Sequence, residues 1–92
     1  MNKCKAPARA YLDSFGGLVS VEVTKVYRET YSGATLTRCR CTVTEKSKGY
    51  RKGEVVVRSP IHVVPEESVC IKDGVYKIKN NYVWEPCNAQ ES

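Results

Sequence analysis

The chain has 92 residues, an apolar fraction of 41% and a net charge of +5, from 15 basic and 10 acidic residues. We expect one domain over residues 1–92, because this length suits a single core and this composition excludes a disordered tail. No apolar run approaches the roughly 20 residues of a membrane span, and the N-terminus lacks the apolar segment of a signal peptide, so we expect a cytoplasmic protein.

The first predicted element is a helix from Ala6 to Gly17. Pro7 suits the first helical turn, where its missing N–H costs nothing, and the glycines at positions 16 and 17 suit a C-terminal cap. The apolar residues at helical spacing are Ala8, Tyr11, Leu12 and Phe15. This pattern predicts one short N-terminal helix that packs its apolar stripe on a sheet.

A first strand is predicted from Leu18 to Arg28, because the valines at positions 19, 21 and 23 alternate with polar residues. The alternation breaks near Lys25, which predicts a β-bulge or the strand end at that point. The stretch from Glu29 to Ala34 is rich in turn-forming residues and predicts a connection.

The residues from Leu36 to Ser59 have the pattern of a β-hairpin. In the first arm, Cys39, Cys41 and Val43 alternate with arginines and threonines, which predicts thiols that face the core and arginines that face solvent. The second arm contains the valines at positions 55–57. Between the arms, the loop from Lys46 to Gly53 has two glycines that permit the positive φ of a chain reversal.

The remaining segments predict short strands. Pro60 and Pro65 bracket residues 61–64, which indicates a short edge strand or an extended crossing because proline cannot donate to a β-ladder. Three strands over 69–71, 75–79 and 82–85 form a predicted meander, with turns at residues 72–74 and 80–81. A polar tail follows Pro86. The predicted fold is α+β, with the helix packed on a small antiparallel sheet of about five to six strands, and the alternative is a partly closed SH3-like β-barrel.

No catalytic site is expected in this sequence. His62 is the sole histidine, and its place between two prolines in an apolar segment indicates a structural residue and not a general base. The adjacent Glu66 and Glu67 point apart on an extended chain, and no phosphate-binding, hydrolase or zinc-protease motif occurs. We therefore expect a protein that is not an enzyme and that needs no cofactor.

The cysteines allow two interpretations. Their odd number and the missing signal peptide favour free thiols over a disulfide framework, and the lack of a Cys-x-x-Cys pair argues against a zinc site. The weaker alternative is a secreted factor stabilised by zinc or disulfides. The residues concerned are Cys4, Cys39, Cys41, Cys70 and Cys87.

Positive charge is concentrated in the predicted hairpin, which has seven basic and two acidic residues, whereas the rest of the chain has eight of each. The candidate partner-binding residues are Arg38, Arg40, Lys46, Lys48, Tyr50, Arg51, Lys52 and Arg58. The guanidinium groups of Arg38 and Arg40 are expected about 7 Å apart on one strand face, which suits successive phosphates or paired carboxylates. An aromatic ring among cations, Tyr50, can stack on an unpaired base or anchor a protein contact.

The character of the whole chain resembles that of small phage-encoded accessory proteins, which are compact, lack enzyme motifs and display one charged face on a plain β scaffold. Within that group the chain is similar to the anti-CRISPR proteins that inhibit type I-F surveillance complexes. The resemblance implies a stoichiometric inhibitor that docks on a protein–RNA complex and obstructs target DNA. We expect the protein to be a monomer. Many anti-CRISPR proteins are acidic DNA mimics. This basic chain departs from that pattern, so it would contact guide RNA or an acidic protein surface.

Two functional hypotheses follow. In the leading hypothesis, the protein is an inhibitor whose basic hairpin binds a ribonucleoprotein. The main contacts are expected at Arg38, Arg40, Lys48, Arg51 and Lys52. In the alternative, it is a module that binds single-stranded nucleic acid directly. Neither the RNA-recognition motif nor a helix-turn-helix pattern occurs, so readout of a duplex sequence is not expected.

Overall fold

The computed structural model of the protein describes residues 2–14 and 17–86. The strands in these ranges are β1 Asn2–Cys4, β2 Ala8–Ser14, β3 Gly17–Tyr31, β4 Ala34–Val43, β5 Val55–Arg58, β6 Val63–Pro65, β7 Val69–Lys72, β8 Val75–Ile78 and β9 Tyr82–Trp84. Two 3₁₀ turns, Pro60–His62 and Glu66–Ser68, flank β6.

The strands form one main sheet and two smaller ribbons. The main sheet has five antiparallel strands in the order β5-β4-β3-β2-β6, so β5 and β6 are its edges. In one ribbon β1 pairs with β9 in parallel, and in the other β7 pairs with β8 as a hairpin. The predicted antiparallel sheet is therefore confirmed.

The predicted N-terminal helix is wrong, and with it the α+β class, because most of the segment forms strand β2. Its side chains alternate, with Ala10 and Leu12 buried and Arg9 and Asp13 exposed, as a half-buried strand requires. β2 pairs with β3 along its whole length and with β6 on its other edge. These two ladders pair the whole of β2 on one edge and residues 10–12 on the other, and tertiary pairing thus overrides a helical spacing that the same apolar residues also fit. Phe15 and Gly16 lie outside the described residues.

The strand predicted from Leu18 to Arg28 is confirmed, and so is its irregularity. The register of β3 against β4 shifts between Val23 and Lys25, so a β-bulge lies at the predicted point. β3 continues to Tyr31 and reverses through Ser32 and Gly33, whose φ angles are +52° and +82°. The connection predicted over residues 29–34 is thus mostly strand.

The buried side of the main sheet, here called the inner face, is lined by valines and cysteines. Cys39 and Cys41 are fully buried and Val43 is 1% exposed, which confirms the predicted orientation of the first hairpin arm. In β5 the buried residue is Val56, while Val55 and Val57 are exposed. The opposite side of the sheet is the outer face.

The β1–β9 ribbon covers the inner face. Cys4 and Trp84 belong to the same buried cluster as the sheet residues, and Nε1 of Trp84 donates a hydrogen bond to the Val63 carbonyl oxygen at 2.8 Å. The strand predicted over residues 82–85 is present as β9, but its place in the predicted meander is wrong, because β9 pairs with β1 and not with β8. The ribbon joins segments that are far apart in sequence, which local periodicity cannot show. The tail after Pro86, residues 87–92, lies outside the described residues.

Two local predictions in the second half of the chain are confirmed. The predicted edge strand is present as β6, which pairs with β2 through Leu12–Val63 and Ala10–Pro65, whereas residues 61 and 62 of the predicted segment lie in a 3₁₀ turn. The β7–β8 hairpin reverses at the predicted turn, where Asp73 and Gly74 have φ angles of +54° and +77°. The Tyr76 hydroxyl of β8 donates to Oδ1 of Asp13 at 2.8 Å and ties this hairpin to β2. Within the described residues, no helix has the length and apolar character that crossing a bilayer requires.

Candidate functional site

Arg38 and Arg40 lie on the outer face of β4, because they alternate with the buried Cys39 and Cys41. In the neighbouring strand β3, Tyr27 lies opposite Arg38 and Lys25 lies opposite Arg40. Directly opposed residues in antiparallel strands have Cβ atoms about 5 Å apart, so these four side chains form one cluster. We call Lys25, Tyr27, Arg38 and Arg40 the outer basic face.

The bulge in β3 determines the membership of this face. Val23 and Val26 both point inward although they are an odd number of positions apart, because the register shift between Val23 and Lys25 adds one residue to β3. The shift turns Lys25 and Tyr27 outward, beside the arginines. The ammonium nitrogen of Lys25 lies 5.4 Å from the centroid of the Tyr27 ring, in the range of a cation–π contact.

The cations of the outer basic face are not neutralised by acids. In residues 2–14 and 17–86, the one ion pair joins Lys3 to Glu85 at 3.9 Å, remote from these side chains. Glu22 and Glu29 lie on the same side of β3, at the two ends of the cluster, and neither forms an ion pair with it. The positive field of Lys25, Arg38 and Arg40 is therefore available to a partner.

Apolar side chains border the outer basic face. Val57, opposite Arg40, is 41% exposed, and Leu36, two residues before Arg38, is 38% exposed. Further along the β3–β4 hairpin, Tyr31 is 68% exposed. Tyrosine, arginine and aliphatic side chains on one face are a composition that protein interfaces favour.

The predicted loop is ordered by two turns. Ser47 and Tyr50 exchange backbone hydrogen bonds of 3.2 and 2.9 Å around Lys48 and Gly49, and Gly49 has a φ of +85°. The Glu54 carboxylate then accepts the backbone N–H of Arg51 at 3.0 Å. These bonds hold the loop without using its cations, which are all exposed: Lys46, Lys48, Arg51 and Lys52.

Tyr50 and Arg58 lie apart from the outer basic face. Tyr50 is half-buried and packs against the core, and hydrogen bonds with the side chains of Ser14 and Arg58 lower the pKa of its hydroxyl. Arg58 is opposite the inward-facing Cys39, and its Nη1 donates to the Val57 carbonyl oxygen at 3.0 Å. The structure thus brings Arg38 and Arg40 together, places four loop cations near the tip, and keeps Tyr50 and Arg58 on the inner side.

Sequence reasoning missed Lys25 and Tyr27. The available signal was the broken alternation near Lys25, because a residue displaced from the buried phase by a bulge must point outward. His62, singled out as structural, is exposed on its 3₁₀ turn. The described part of the chain contains no group of three or more His, Cys, Asp or Glu residues placed to hold a metal ion.

The buried cysteines are protonated thiols. Desolvation by burial is the main cause that raises the pKa of Cys39 to about 12 and that of Cys41 to about 11, from an ordinary value of 9.0. Burial also raises the pKa of Cys4. Cys70, in contrast, is exposed, and the four thiols in the described part of the chain are free. A buried neutral thiol acts as a small apolar side chain and is a poor nucleophile.

We expect stability to fall as the pH rises from about 9 toward 11, because the unfolded chain releases thiol protons that the folded protein keeps. The contribution of Cys39 and Cys41 is complete below pH 9 and declines through the interval up to their folded pKa values of about 12 and 11. Urea unfolding at a series of pH values measures this slope. The matched control is Cys39→Ala with Cys41→Ala, which should flatten it, and equal slopes in both proteins would contradict the assignment.

Comparison of the chain with protein-family models, with curated proteins and with solved structures finds no match.

Proposed function

We propose that the protein is a non-enzymatic inhibitor that docks on a CRISPR ribonucleoprotein surveillance complex in the host cytoplasm and obstructs target DNA binding. The observation that carries the proposal is the outer basic face, where Lys25, Arg38 and Arg40 stand side by side and form no ion pair with an acid of the described residues. The resemblance to small phage inhibitors of type I-F complexes supplies the class of partner.

The geometry of the face suits a row of anionic groups. Residues two positions apart on a strand are spaced by about 7 Å, and directly opposed residues by about 5 Å. Arg38 and Arg40 therefore match consecutive phosphates of guide RNA or two neighbouring carboxylates, and arginine binds either group with paired hydrogen bonds. Lys25 adds a third charge beside Arg40.

Apolar neighbours favour a partner that contains protein. Three cations alone provide weak, salt-sensitive attraction, whereas the exposed Val57, Leu36 and Tyr31 supply the apolar contact that a specific interface needs. A surface that combines arginine, tyrosine and aliphatic side chains suits contact with both the RNA and the protein of a ribonucleoprotein.

Direct binding of single-stranded nucleic acid is the second candidate function, and Tyr27 is the observation that favours it. Its ring is partly exposed between Lys25 and Arg38, so an unpaired base could stack there while the cations contact phosphates. Tyr50, the ring first considered for this role, packs against the core instead.

A binding titration at physiological salt separates the two. We expect negligible affinity for labelled single-stranded RNA and DNA oligomers, and tight binding with a fixed stoichiometry to an assembled type I-F surveillance complex. If the oligomers bind tightly, with a salt slope of about −2 as three phosphate contacts would give, the single-stranded-binding function replaces the inhibitor. If the protein binds neither the oligomers nor the assembled complex, the proposal is overturned.

A further inference from the structure

A groove runs between β9 and the far end of β4 on the inner face, opposite to the outer basic face. It consists of two cavities of 320 Å³ and 500 Å³ that share Thr37, Val83 and Trp84 in their walls. Both cavities open to solvent, so the groove is a surface channel and not an enclosed chamber. We call it the β9 groove.

The aromatic wall of the β9 groove is fixed before any ligand arrives. The indole of Trp84 is held by its hydrogen bond to the Val63 carbonyl oxygen, at 2.8 Å, and is 3% exposed. The Tyr82 hydroxyl reaches the carbonyl oxygen of Ile61 at 3.5 Å. Walls that are already ordered lose little side-chain entropy on binding, which favours affinity.

One half of the groove is apolar and exposed. Ile61 is 73% and Val83 39% exposed, and Pro60 and the aromatic wall complete this half. An isoleucine so exposed on a short turn, beside a preformed aromatic wall, makes a receptor for an apolar side chain.

The other half of the groove is positively charged. It is lined by Lys5 and Arg28, and its acid, Glu85, is already engaged with Lys3. Lys5 and Arg28 form no ion pair within the described residues, so this positively charged half of the groove attracts an anion.

We infer that the β9 groove binds an extended peptide segment of a partner protein, in which an apolar side chain stands next to a carboxylate. The apolar side chain fits against Ile61 and Val83, and the carboxylate meets Arg28 and Lys5. The two cavities share three wall residues and are both open to solvent, so a ligand can span them from the surface, which favours a peptide over a buried small molecule. This site goes beyond the proposed function and does not depend on it.

The test is a selection from a random peptide library displayed on phage, with the wild-type protein as bait. We expect enriched sequences that place Leu, Ile or Phe beside Asp or Glu. A synthetic peptide of the enriched sequence is then titrated against the protein, and the fluorescence of Trp84, the sole tryptophan, reports its arrival in the groove. Replacing the acidic residue of the peptide by its amide should weaken binding.

Substitutions at two exposed groove residues, with a matched control elsewhere, test whether the peptide binds in the β9 groove. Ile61→Asp and Arg28→Glu should each weaken peptide binding by about tenfold or more, the loss typical of one interface anchor. Ile71→Asp, at an isoleucine on the β7–β8 hairpin that is 61% exposed against 73% for Ile61, should bind like the wild type. The inference is overturned if the library yields no enrichment, if the enriched peptides lack acidic residues, or if both groove variants keep wild-type affinity. Thermal unfolding checks that all variants remain folded.

Discussion

We expect the double variant Arg38→Glu/Arg40→Glu to lose binding to the proposed ribonucleoprotein partner while keeping its fold. Under the proposed function, each substitution removes a charge-assisted contact and places a carboxylate opposite an anion of the partner, which costs several kcal/mol per site in desolvated interfaces. A loss of at least about 100-fold in affinity is therefore expected. The measurement is an equilibrium titration of the assembled complex at fixed ionic strength.

The fold should survive because neither arginine supports it. Both project from the outer face, and in the described part of the chain neither forms an ion pair. Substitutions at such positions usually change the free energy of unfolding by less than about 0.5 kcal/mol. Unchanged thermal unfolding therefore shows that the lost affinity comes from the surface.

The matched control is Lys46→Glu/Lys48→Glu, which makes the same change of net charge in the loop. If affinity depended on total charge, both double variants would lose it equally. We expect the loop variant to keep most of its affinity, because Lys46 and Lys48 lie away from the outer basic face. The reverse result, loss with the loop pair and retention with the strand pair, would move docking from the sheet to the loop.

Trp84→Ala is expected to destabilise the protein by about 3–5 kcal/mol, the range for deleting a buried aromatic side chain. The indole is 3% exposed and contacts the valine core of the main sheet, so its loss leaves a cavity under the β1–β9 ribbon. Domains of this size are stable by about 5–15 kcal/mol, so the variant should be near the limit of folding. Chemical unfolding followed by far-UV circular dichroism measures the change.

Trp84→Phe separates packing from hydrogen bonding at the same position. It keeps an aromatic ring in the core but leaves the Val63 carbonyl oxygen without the indole N–H, a loss of about 1–2 kcal/mol. If the alanine variant unfolds at the wild-type denaturant concentration, the ribbon does not belong to the core and the described packing is wrong.

The hairpin and the neighbouring strand β3 were predictable because one face of each is buried and the other is exposed to solvent. Cys39, Cys41 and Val43 are buried at every second position, and this alternation in sequence is itself the cause of the strand. The turn at Asp73 and Gly74 was predictable for a different reason, since both residues tolerate positive φ.

Strand β2 was missed because its apolar residues fit two periods. Ala8 and Leu12 are four apart and suit a helix, but with Ala10 they also alternate with Arg9, Tyr11 and Asp13. The choice between the two is made by β3 and β6, which pair with both edges of β2. Such pairing depends on distant residues and is not visible in the segment.

The candidate site was half predictable. The orientation of Arg38 and Arg40 follows from the period of their strand, whereas that of Lys25 and Tyr27 depends on the position of one extra residue in β3. The β9 groove was not predictable, because it forms where the two ends of the described chain meet, at β1 and β9, over the far end of β4.

The most direct test of the proposed inhibitor is target DNA binding by a purified type I-F surveillance complex, titrated with this protein before the DNA is added. We expect DNA binding to fall in proportion to the added protein and to vanish at a fixed molar ratio, while the Arg38→Glu/Arg40→Glu variant leaves it intact. Full DNA binding in the presence of excess wild-type protein would contradict the proposal.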